Sequence, residues 1–196
     1  MQIHLQSLNQ SSIMKSMQHK WSLLFVIVFT SLHITSCYAQ QNTDIPIPKS
    51  ITVDKSLSAK EAQSLIHIGE MFYAFWNTGK EIYLQEAVSK DFIDNTLPKG
   101  RPQGFQGILF ASSNFRKSVP DLKCSVEDLI ICKDKIICRQ VYTGHNTGST
   151  MNHTASGNTI NFFAIDILHV RNGKVDEDWH LEDNLNFLIQ AGVVKL

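Results

Sequence analysis

The chain has 196 residues, in which 18 Lys and Arg residues balance 18 Asp and Glu residues. This length accommodates one domain plus an appendage, and the balanced charge gives no electrostatic reason to expect a nucleic acid partner. With 43% hydrophobic residues and no low-complexity block, the composition is that of a globular chain rather than a disordered one.

An export signal is predicted for residues 1–39. Lys15 and Lys20 precede the wholly apolar run Leu23–Phe29, and small residues follow that run. A basic region, a short apolar core and small residues near a cleavage point are typical of an export signal. The apolar segment is too short for a membrane-spanning helix, which needs about 20 such residues.

Two processing sites overlap at the end of this signal. Cys37-Tyr38-Ala39 fits cleavage after Ala39 by an ordinary signal peptidase, whereas Ile34-Thr35-Ser36-Cys37 resembles the bacterial lipobox. Acylation of Cys37 would tether the protein to a membrane, because each buried methylene contributes about 0.8 kcal/mol. Both alternatives place the mature protein in the periplasm or outside the cell, and only lipidation would anchor it to a membrane.

A linker is predicted for residues 40–57, which contain two prolines and show no hydrophobic period. Ser58 and Glu61 have the spacing of a capping box, in which each side chain accepts a backbone hydrogen bond at the start of a helix. The folded domain is therefore predicted to span residues 58–196.

Four helices and four strands are predicted along this domain from hydrophobic periodicity and turn residues. The helices cover about 58–79, 80–88, 104–118 and 184–194, the strands cover about 122–132, 136–144, 160–171 and 174–183, and residues 91–102 and 145–159 are predicted loops. Asn172-Gly173 is a strong hairpin signal between the last two strands. Helices followed by a meander predict an α+β fold, in which a curved antiparallel sheet wraps around three N-terminal helices to form a cone with an internal pocket.

The stretch KVDEDWHLED, residues 174–183, concentrates charged side chains on one predicted strand. Successive side chains of a strand point to opposite faces, so the stretch separates into two sets. One set is Val175, Glu177, Trp179 and Leu181, and the other is Asp176, Asp178, His180 and Glu182. The first set is predicted to pack in the core, and the second forms either a solvent face or the acid/base groups of a site.

The hairpin sets Asp178 and His180 opposite Ile167 and Ile165, or one residue away if the register slips. Asp166 lies on the same partner strand. A carboxylate beside a His orients the ring and raises its pKa, and a carboxylate in an apolar pocket has its own pKa raised. Either group could remove a proton next to a carbonyl. A metal site formed by these two aspartates and the His is an alternative at this point.

Three cysteines follow the predicted signal: Cys124, Cys132 and Cys138. Their spacing matches no zinc-binding pattern. Cys124 and Cys132 share a parity on one predicted strand, and Cys138 lies on the next. Buried thiols are favoured over a disulfide, and the odd number leaves at least one thiol free.

Several short motifs resemble the SnoaL-like polyketide cyclases, which belong to the nuclear transport factor 2-like and ketosteroid isomerase-like superfamily. They are Pro120-Asp121-Leu122, the turn Thr143-Gly144-His145 followed by Gly148, Asn172-Gly173-Lys174, and Trp179. The resemblance covers about residues 57–194. It implies a cone with an internal pocket, often dimeric, that uses no metal or other cofactor and closes a ring in a small carbonyl compound by acid/base chemistry.

The resemblance also implies the site residues. The family's usual strand segment is Glu-His-Trp-Asp with a catalytic Asp, whereas Glu177-Asp178-Trp179-His180 stands here, so the Asp and the His are exchanged. His180 is therefore the expected base, with Asp166 as its orienting partner and Asp178 as a secondary acid. The expected substrate-binding residues are Tyr73, Trp76, Phe92, Phe105 and His145.

These features leave three functions open. The first is an exported ester cyclase or isomerase-type enzyme that transfers protons on a small carbonyl compound. The alternative is a non-catalytic protein that binds a hydrophobic small molecule, and a dimerisation or scaffold module is a third option. A buried His180 with a shifted pKa would favour the enzyme, whereas a wholly apolar cavity would favour a carrier. The expected partners are such a small molecule and a second copy of the chain, without nucleic acid.

Overall fold

Helices and strands alternate in the first part of the described range, and an antiparallel meander follows them. The computed structural model describes residues 42–195, and the predicted signal with Cys37 lies outside that range. The elements are β1 (Ser50–Val53), α1 (Ala59–Thr78), α2 (Glu81–Ala87), β2 (Val88–Asp94), α3 (Phe105–Ser118), β3 (Lys123–Cys132), β4 (Lys135–His145), β5 (Thr159–Arg171), β6 (Lys174–Glu182) and α4 (Asn184–Gln190). Among residues 42–195, no helix has both the length and the hydropathy required to cross a membrane.

The long helix α1 begins and ends where the sequence predicts. The Ser58 backbone N–H donates to Glu61 Oε2 at 2.9 Å and the Glu61 N–H donates to Ser58 Oγ at 3.3 Å, so the capping box is confirmed. Gly79 ends the helix in the left-handed conformation, with φ of 73°, which glycine adopts without steric cost. The buried side of this helix carries Phe72 and Tyr73 toward the sheet.

Six strands form one open, curved sheet in the order β1-β3-β4-β5-β6-β2. The pairs β3–β4, β4–β5 and β5–β6 are antiparallel, whereas β1 and β2 are parallel to their neighbours at the two edges. The predicted α+β fold is confirmed, and the sheet is mixed rather than purely antiparallel. Alternate side chains of β5, from Ile160 to Leu168, are buried against the helices.

The two edge strands lie in segments that the sequence assigns to irregular structure. β1 occupies part of the predicted linker, residues 40–57, and β2 overlaps the predicted loop, residues 91–102. Both are short and contain few alternating apolar residues, so they present a weak period. Pairing with β3 and β6 supplies the hydrogen bonds that stabilise them, and local sequence does not reveal this pairing.

The turn between β5 and β6 is a two-residue hairpin, as predicted. Asn172 and Gly173 have φ values of 53° and 73°, the pair of left-handed conformations that such a turn requires. Directly after the turn, Val175 pairs with Val170, but Glu177 pairs with His169. One extra residue, Asp176, therefore forms a bulge on β6.

This bulge reverses the predicted faces of β6. Asp178 and His180 lie opposite Leu168 and Asp166, one residue from the simplest hairpin register. Trp179 and Leu181, predicted as core, are 39% and 73% exposed on the outer face. The prediction of their burial is wrong because it assumed unbroken alternation from Val175, and one inserted residue inverts the faces beyond it.

A second bulge separates the cysteines of the sheet. Glu127 is an extra residue on β3, because Val126 pairs with Gln140 and Asp128 pairs with Arg139. Cys124 is buried and Cys132 is exposed, although the sequence gives them the same parity. Within residues 42–195 all three cysteines are free, and Cys138 is buried.

Candidate active site

A small polar cavity lies between the inner face of the sheet and the helices. Its volume is about 20 Å³, which is enough for a water-sized guest. Its polar wall comes from β2, β4, β5, β6 and the loop after β2, whereas aromatic and aliphatic side chains form the opposite wall. The polar residues are Asp94, Arg101, Gln140, Asp166, Asp178, His180 and Glu182.

His180 is held between two carboxylates inside this cavity. Its Nε2 lies 3.1 Å from both carboxylate oxygens of Asp94, and its Nδ1 lies 3.0 Å from Glu182 Oε1. The Asp94 contact is an aligned hydrogen bond, whereas the angle at Nδ1 makes the Glu182 contact an ion pair without a well-formed hydrogen bond. The His180 and Asp94 side chains are each 7% exposed.

Asp94 reaches His180 because β2 runs parallel to β6, with Asp94 paired to Asp178. Gln103 fixes this strand end, since its Oε1 accepts the Asp94 N–H at 2.7 Å and its Nε2 donates to the Asp94 carbonyl at 2.9 Å. Arg101 Nη1 lies 3.6 Å from Asp94 Oδ2. The carboxylate of Asp94 thus lies between two cationic groups.

These contacts keep His180 positively charged. Burial alone would lower the pKa of His180, but the carboxylates of Glu182, Asp178 and Asp94 together raise it to about 10. Burial likewise would raise the pKa of Glu182, but the His180 imidazolium and Arg101 hold it below its usual range. At neutral pH the ring is therefore an imidazolium flanked by two carboxylates.

Asp166 faces the same cavity but does not bond to His180. Its Oδ2 accepts the Tyr73 hydroxyl at 2.9 Å and the Gln140 Nε2–H at 2.7 Å. Burial raises the pKa of Asp166 to about 7, although these two hydrogen bonds and the nearby His180 charge oppose the rise. The prediction that Asp166 orients His180 is wrong, because Asp94 on the edge strand takes that place.

Asp178 is the second buried acid of the cavity. It is 6% exposed, and its Oδ1 has no hydrogen-bond partner among the described residues. Burial, with the neighbouring charge of Asp166, raises the pKa of Asp178 well above its ordinary value, and His180 only partly offsets this. Burial of a carboxyl that lacks partners for its charged form favours the neutral form.

The structure brings together most of the residues expected from the sequence. Trp76 and Phe92 line the cavity, and Tyr73 reaches it through Asp166. Phe105 instead lies beside an open groove near the end of α2, outside the cavity. His145 lies at the end of β4, where its Nδ1 is 2.7 Å from Asp121 and its side chain is 58% exposed, so neither Phe105 nor His145 contacts this site.

The site residues expected from the sequence do not include four polar residues of the cavity: Asp94, Arg101, Gln140 and Glu182. Glu182 has the parity of Asp178 and His180, so the same alternation could have included it. Phe92 and Asp94 alternate with exposed neighbours along β2, but the following loop residues hide that short pattern. The roles of Arg101 and Gln140 depend on tertiary contacts alone.

One group of potential metal ligands occurs elsewhere in residues 42–195, at the turn end of β5 and β6. It consists of His169, Asp176 and Glu177. His169 Nδ1 is already 2.6 Å from Asp176 Oδ1, and Arg171 Nε is 3.1 Å from Asp176 Oδ2. These contacts within the protein already engage His169 and Asp176.

Comparisons with known proteins place this geometry in a family. The SnoaL-like polyketide cyclase model matches residues 66–191. A candidate polyketide cyclase from Bacillus cereus ATCC 10987 is 48% identical and has a TM-score of 0.72, with 78% of this chain and 97% of that chain covered. No curated protein matches the chain.

Two more distant structures share the fold. IdmH from Streptomyces antibioticus, a candidate polyketide cyclase, is 23% identical with a TM-score of 0.57, covering 67% of this chain and 98% of that one. A Catenulispora acidiphila protein with a ketosteroid isomerase-like fold, in complex with trimethylamine, is 16% identical with a TM-score of 0.52, covering 65% and 93%. At this low sequence identity, the structural similarity supports a shared fold and not a shared reaction.

Proposed function

The chain belongs to the SnoaL-like polyketide cyclase family, and from that membership we propose an enzyme that transfers a proton next to a carbonyl group, as an ester cyclase or an isomerase. The observation that carries this proposal is the pair of buried acids, Asp166 and Asp178, beside the charged His180 in one cavity. Family membership suggests the class of reaction, and the charge states of the cavity residues suggest the role of each residue.

Asp166 is the proposed base. With a pKa of about 7, close to half of its population is ionised at neutral pH, the condition under which a carboxylate both accepts and returns protons efficiently. Tyr73 and Gln140 occupy Oδ2 and leave Oδ1 for the substrate. They are positioning residues, because they orient the carboxylate without touching the reacting atoms.

Asp178 is the proposed acid. Because burial favours its neutral form, its carboxyl O–H can donate a hydrogen bond to the carbonyl oxygen as negative charge develops there. When Asp166 takes the C–H proton, the electron pair moves onto that oxygen. In isomerisation Asp166 returns the proton to another carbon, and in ring closure the carbon attacks a second carbonyl and the new alkoxide takes the proton back.

His180 changes role relative to the sequence-based expectation. An imidazolium with a pKa of about 10 cannot act as a base at neutral pH. Its positive charge, between Asp94 and Glu182, favours the ionised form of Asp166 and the developing enolate. The exchange of His and Asp around Trp179 thus leaves acid/base chemistry with aspartates and assigns the His to electrostatic support.

The lining of the cavity supports an enzyme more strongly than a carrier. A carrier for a hydrophobic molecule would not need several ionisable groups, which cost free energy to bury. Trp76 and Tyr142 separate this cavity from a second one of about 10 Å³. A substrate larger than a few atoms must displace these two rings, so their movement sets the size of the accepted molecule.

Exchange of α-hydrogens with deuterium tests the proposed chemistry without knowledge of the natural substrate. Small ketones, esters and 1,3-dicarbonyl compounds are incubated with the protein in D2O and followed by proton NMR. We expect catalysed exchange that Asp166→Asn abolishes and the exposed control Asp91→Asn retains. Equal exchange rates in wild type and Asp166→Asn would reject the assignment.

We also propose that the protein acts outside the cytoplasm, because residues 1–39 have the pattern of an export signal. Mass spectrometry of the mature protein from its source distinguishes the two processing sites. A chain beginning after Ala39 indicates secretion, and a chain beginning at an acylated Cys37 indicates a lipid anchor. An unprocessed N-terminus would contradict the proposal.

A further inference from the structure

A row of aromatic rings leads from the active-site cavity to the surface of the protein. It begins at Trp76, which lines the cavity and whose ring centroid lies 6.0 Å from that of Tyr142. It continues through two stacked pairs, since Tyr142 lies 5.3 Å from Phe162 and Phe162 lies 5.9 Å from Phe115. Phe187 ends the row, 5.4 Å from Phe115, and lines an open groove. The cavity and the surface are thus joined by one apolar layer.

Three cavities follow this row and share its side chains. The active-site cavity and the second cavity of about 10 Å³ both contact Trp76 and Tyr142. Phe115 lines the second cavity and also the surface groove, a space of about 460 Å³ whose apolar residues are Phe115, Met151 and Phe187. Small-molecule sites have volumes of roughly 300–1,000 Å³, so the surface groove has the size of a ligand site, whereas the two inner cavities are water-sized.

One wall of the surface groove is a tight hairpin that is fixed to the end of α3. Asn146 is fully buried, and its Nδ2 donates to the Ser118 carbonyl at 3.1 Å and to Thr150 Oγ1 at 2.9 Å. Gly148 lies so close to the helix end that a Cβ atom would be 1.7 Å from the Lys117 carbonyl oxygen. The turn motif that ends at Gly148 therefore builds this wall before a ligand arrives, which reduces the ordering cost of binding.

Met151 lies at the tip of this hairpin. The backbones of Thr150 and His153 exchange two hydrogen bonds, at 3.0 and 2.8 Å, and Met151 and Asn152 between them have φ values of 47° and 66°. A Met residue seldom adopts this left-handed conformation, so the fold holds Met151 at the tip against a local energetic cost. Met151 is 72% exposed. Its flexible thioether side chain can adapt to apolar guests of different shapes.

We propose that the surface groove holds an alkyl chain of the substrate while the carbonyl group lies in the active-site cavity. The inference rests on the proposed function, because it extends the same site to the surface. Phe115, Met151 and Phe187 supply apolar surface, and removal of an alkyl chain from water onto such surface is favourable. Lys117, the charged residue that lines the groove, directs its Nζ to Asn114 Oδ1 at 3.5 Å. An uncharged chain therefore suits the groove.

The aromatic row favours a narrow chain over a ring system. Its neighbouring rings are already in contact, at the separations of ordinary packed aromatic pairs. An alkyl chain passes if Trp76, Tyr142 and Phe115 rotate, whereas a fused ring system requires the whole row to separate. The inferred substrate class is therefore a ketone or ester with a long alkyl chain.

Methyl ketones with alkyl chains from butyl to decyl test the proposal. Met151→Ser removes the apolar tip, and Asn114→Trp fills the groove from an exposed position of α3. For both variants we expect about tenfold weaker binding of the decyl ketone in calorimetry, and little change for the butyl ketone. Leu185→Ser, at an exposed position of α4 that does not line the groove, is the matched control and should bind both ketones as the wild type does.

The deuterium-exchange assay separates this proposal from the proposed function. The KM of the decyl ketone should rise in Met151→Ser by the same factor as its dissociation constant, while kcat stays unchanged. If the decyl ketone binds as expected but no ketone exchanges deuterium, the proposed function fails and the alkyl-binding groove is supported.

Circular dichroism confirms that each variant is folded before its affinity is compared. Unchanged binding of the decyl ketone in both Met151→Ser and Asn114→Trp would overturn the proposal. Equal affinity of the wild type for the butyl and decyl ketones would also overturn it. Tighter binding of a naphthyl methyl ketone than of the decyl ketone would reject the alkyl chain as the occupant.

Discussion

The inner and outer faces of β5 and β6 are made from alternating residues of the same short segments, yet their chemistry is opposite. Inside, Asp166, Asp178 and His180 are buried in a polar cavity. Outside, Ile167 and Trp179 are exposed, although their side chains are apolar. The usual rule of apolar residues inside and polar residues outside is inverted at this place.

A single inserted residue produces this inversion. Without the bulge at Asp176, unbroken alternation from the buried Val175 would turn Trp179 inward and His180 outward. The bulge therefore directs the ionisable set into the cavity. Substitutions of the inner-face residues test this comparison of the two faces.

Substitution of the proposed base should have the largest effect. Asp166→Asn keeps the size of the side chain but cannot accept a proton, so we expect the rate of α-proton exchange to fall by about 10²–10⁴-fold. Outer-face Ile165→Val, one residue away, should change the rate little in the same NMR assay. A rate for Asp166→Asn within a factor of three of wild type would show that another group removes the proton.

Removal of the positive charge of His180 should have the second-largest effect, which is on the free energy of unfolding. His180→Gln removes the cation that lies between the buried carboxylates of Asp94 and Glu182 and leaves them only Arg101. We expect a loss of about 3–5 kcal/mol in the free energy of unfolding at pH 6. The raised pKa of His180 contributes stability that is fully present below about 6.5 and is lost as the pH rises through about 10.

Urea denaturation at pH 6, 8 and 10 checks both parts of this expectation, with the exposed His153→Gln as control. The deficit of His180→Gln should shrink toward pH 10. An equal deficit at every pH would indicate lost packing rather than lost charge.

Replacement of the proposed acid, Asp178, should increase the stability of the protein, whereas His180→Gln decreases it. Because burial raises the pKa of Asp178, its ionisation in the unfolded chain costs stability above about pH 4, and this cost is absent below it. Asp178→Asn should thus be more stable than wild type at pH 7, because the unfolded chain no longer gains free energy by ionising this group. The gain should vanish at pH 3.5 in thermal denaturation. A destabilised variant at pH 7 would show that Asp178 is ionised in the folded protein.

Loss of one positioning hydrogen bond should have the smallest effect. The Tyr73 hydroxyl lowers the pKa of Asp166, so Tyr73→Phe should raise that pKa by about one unit and reduce exchange at pH 7 by about fivefold. Activity should recover near pH 9, where Asp166 is ionised in both proteins. A reduction that is independent of pH would assign Tyr73 a packing role only.

The sequence predicts the helices, the hairpin turn and the family because these depend on local patterns. The capping box at Ser58 and the turn at Asn172-Gly173 are examples, and both are confirmed. His180, Asp166 and Asp178, which the sequence groups together, line one cavity in the structure. Their catalytic roles remain predictions.

The missed features depend on contacts between distant segments. Asp94 meets His180 only because β2 adds to the edge of the sheet beside β6, 86 residues away in sequence. The bulge at Asp176 has no signature in an alternating run of charged residues. The charge state of His180 follows from both, so local pattern could not distinguish a base from a fixed cation.

The proposed mechanism requires that Asp166 and Asp178 exchange protons near neutral pH while His180 stays positively charged. An NMR pH titration of protein labelled with ¹³C and ¹⁵N at Asp and His measures this directly. We predict that Asp166 titrates near pH 7 and that His180 remains protonated at both ring nitrogens up to at least pH 8.5. A His180 that loses its proton between pH 6 and 7, with Asp166 ionised below pH 5, would contradict the account and restore His180 as the base.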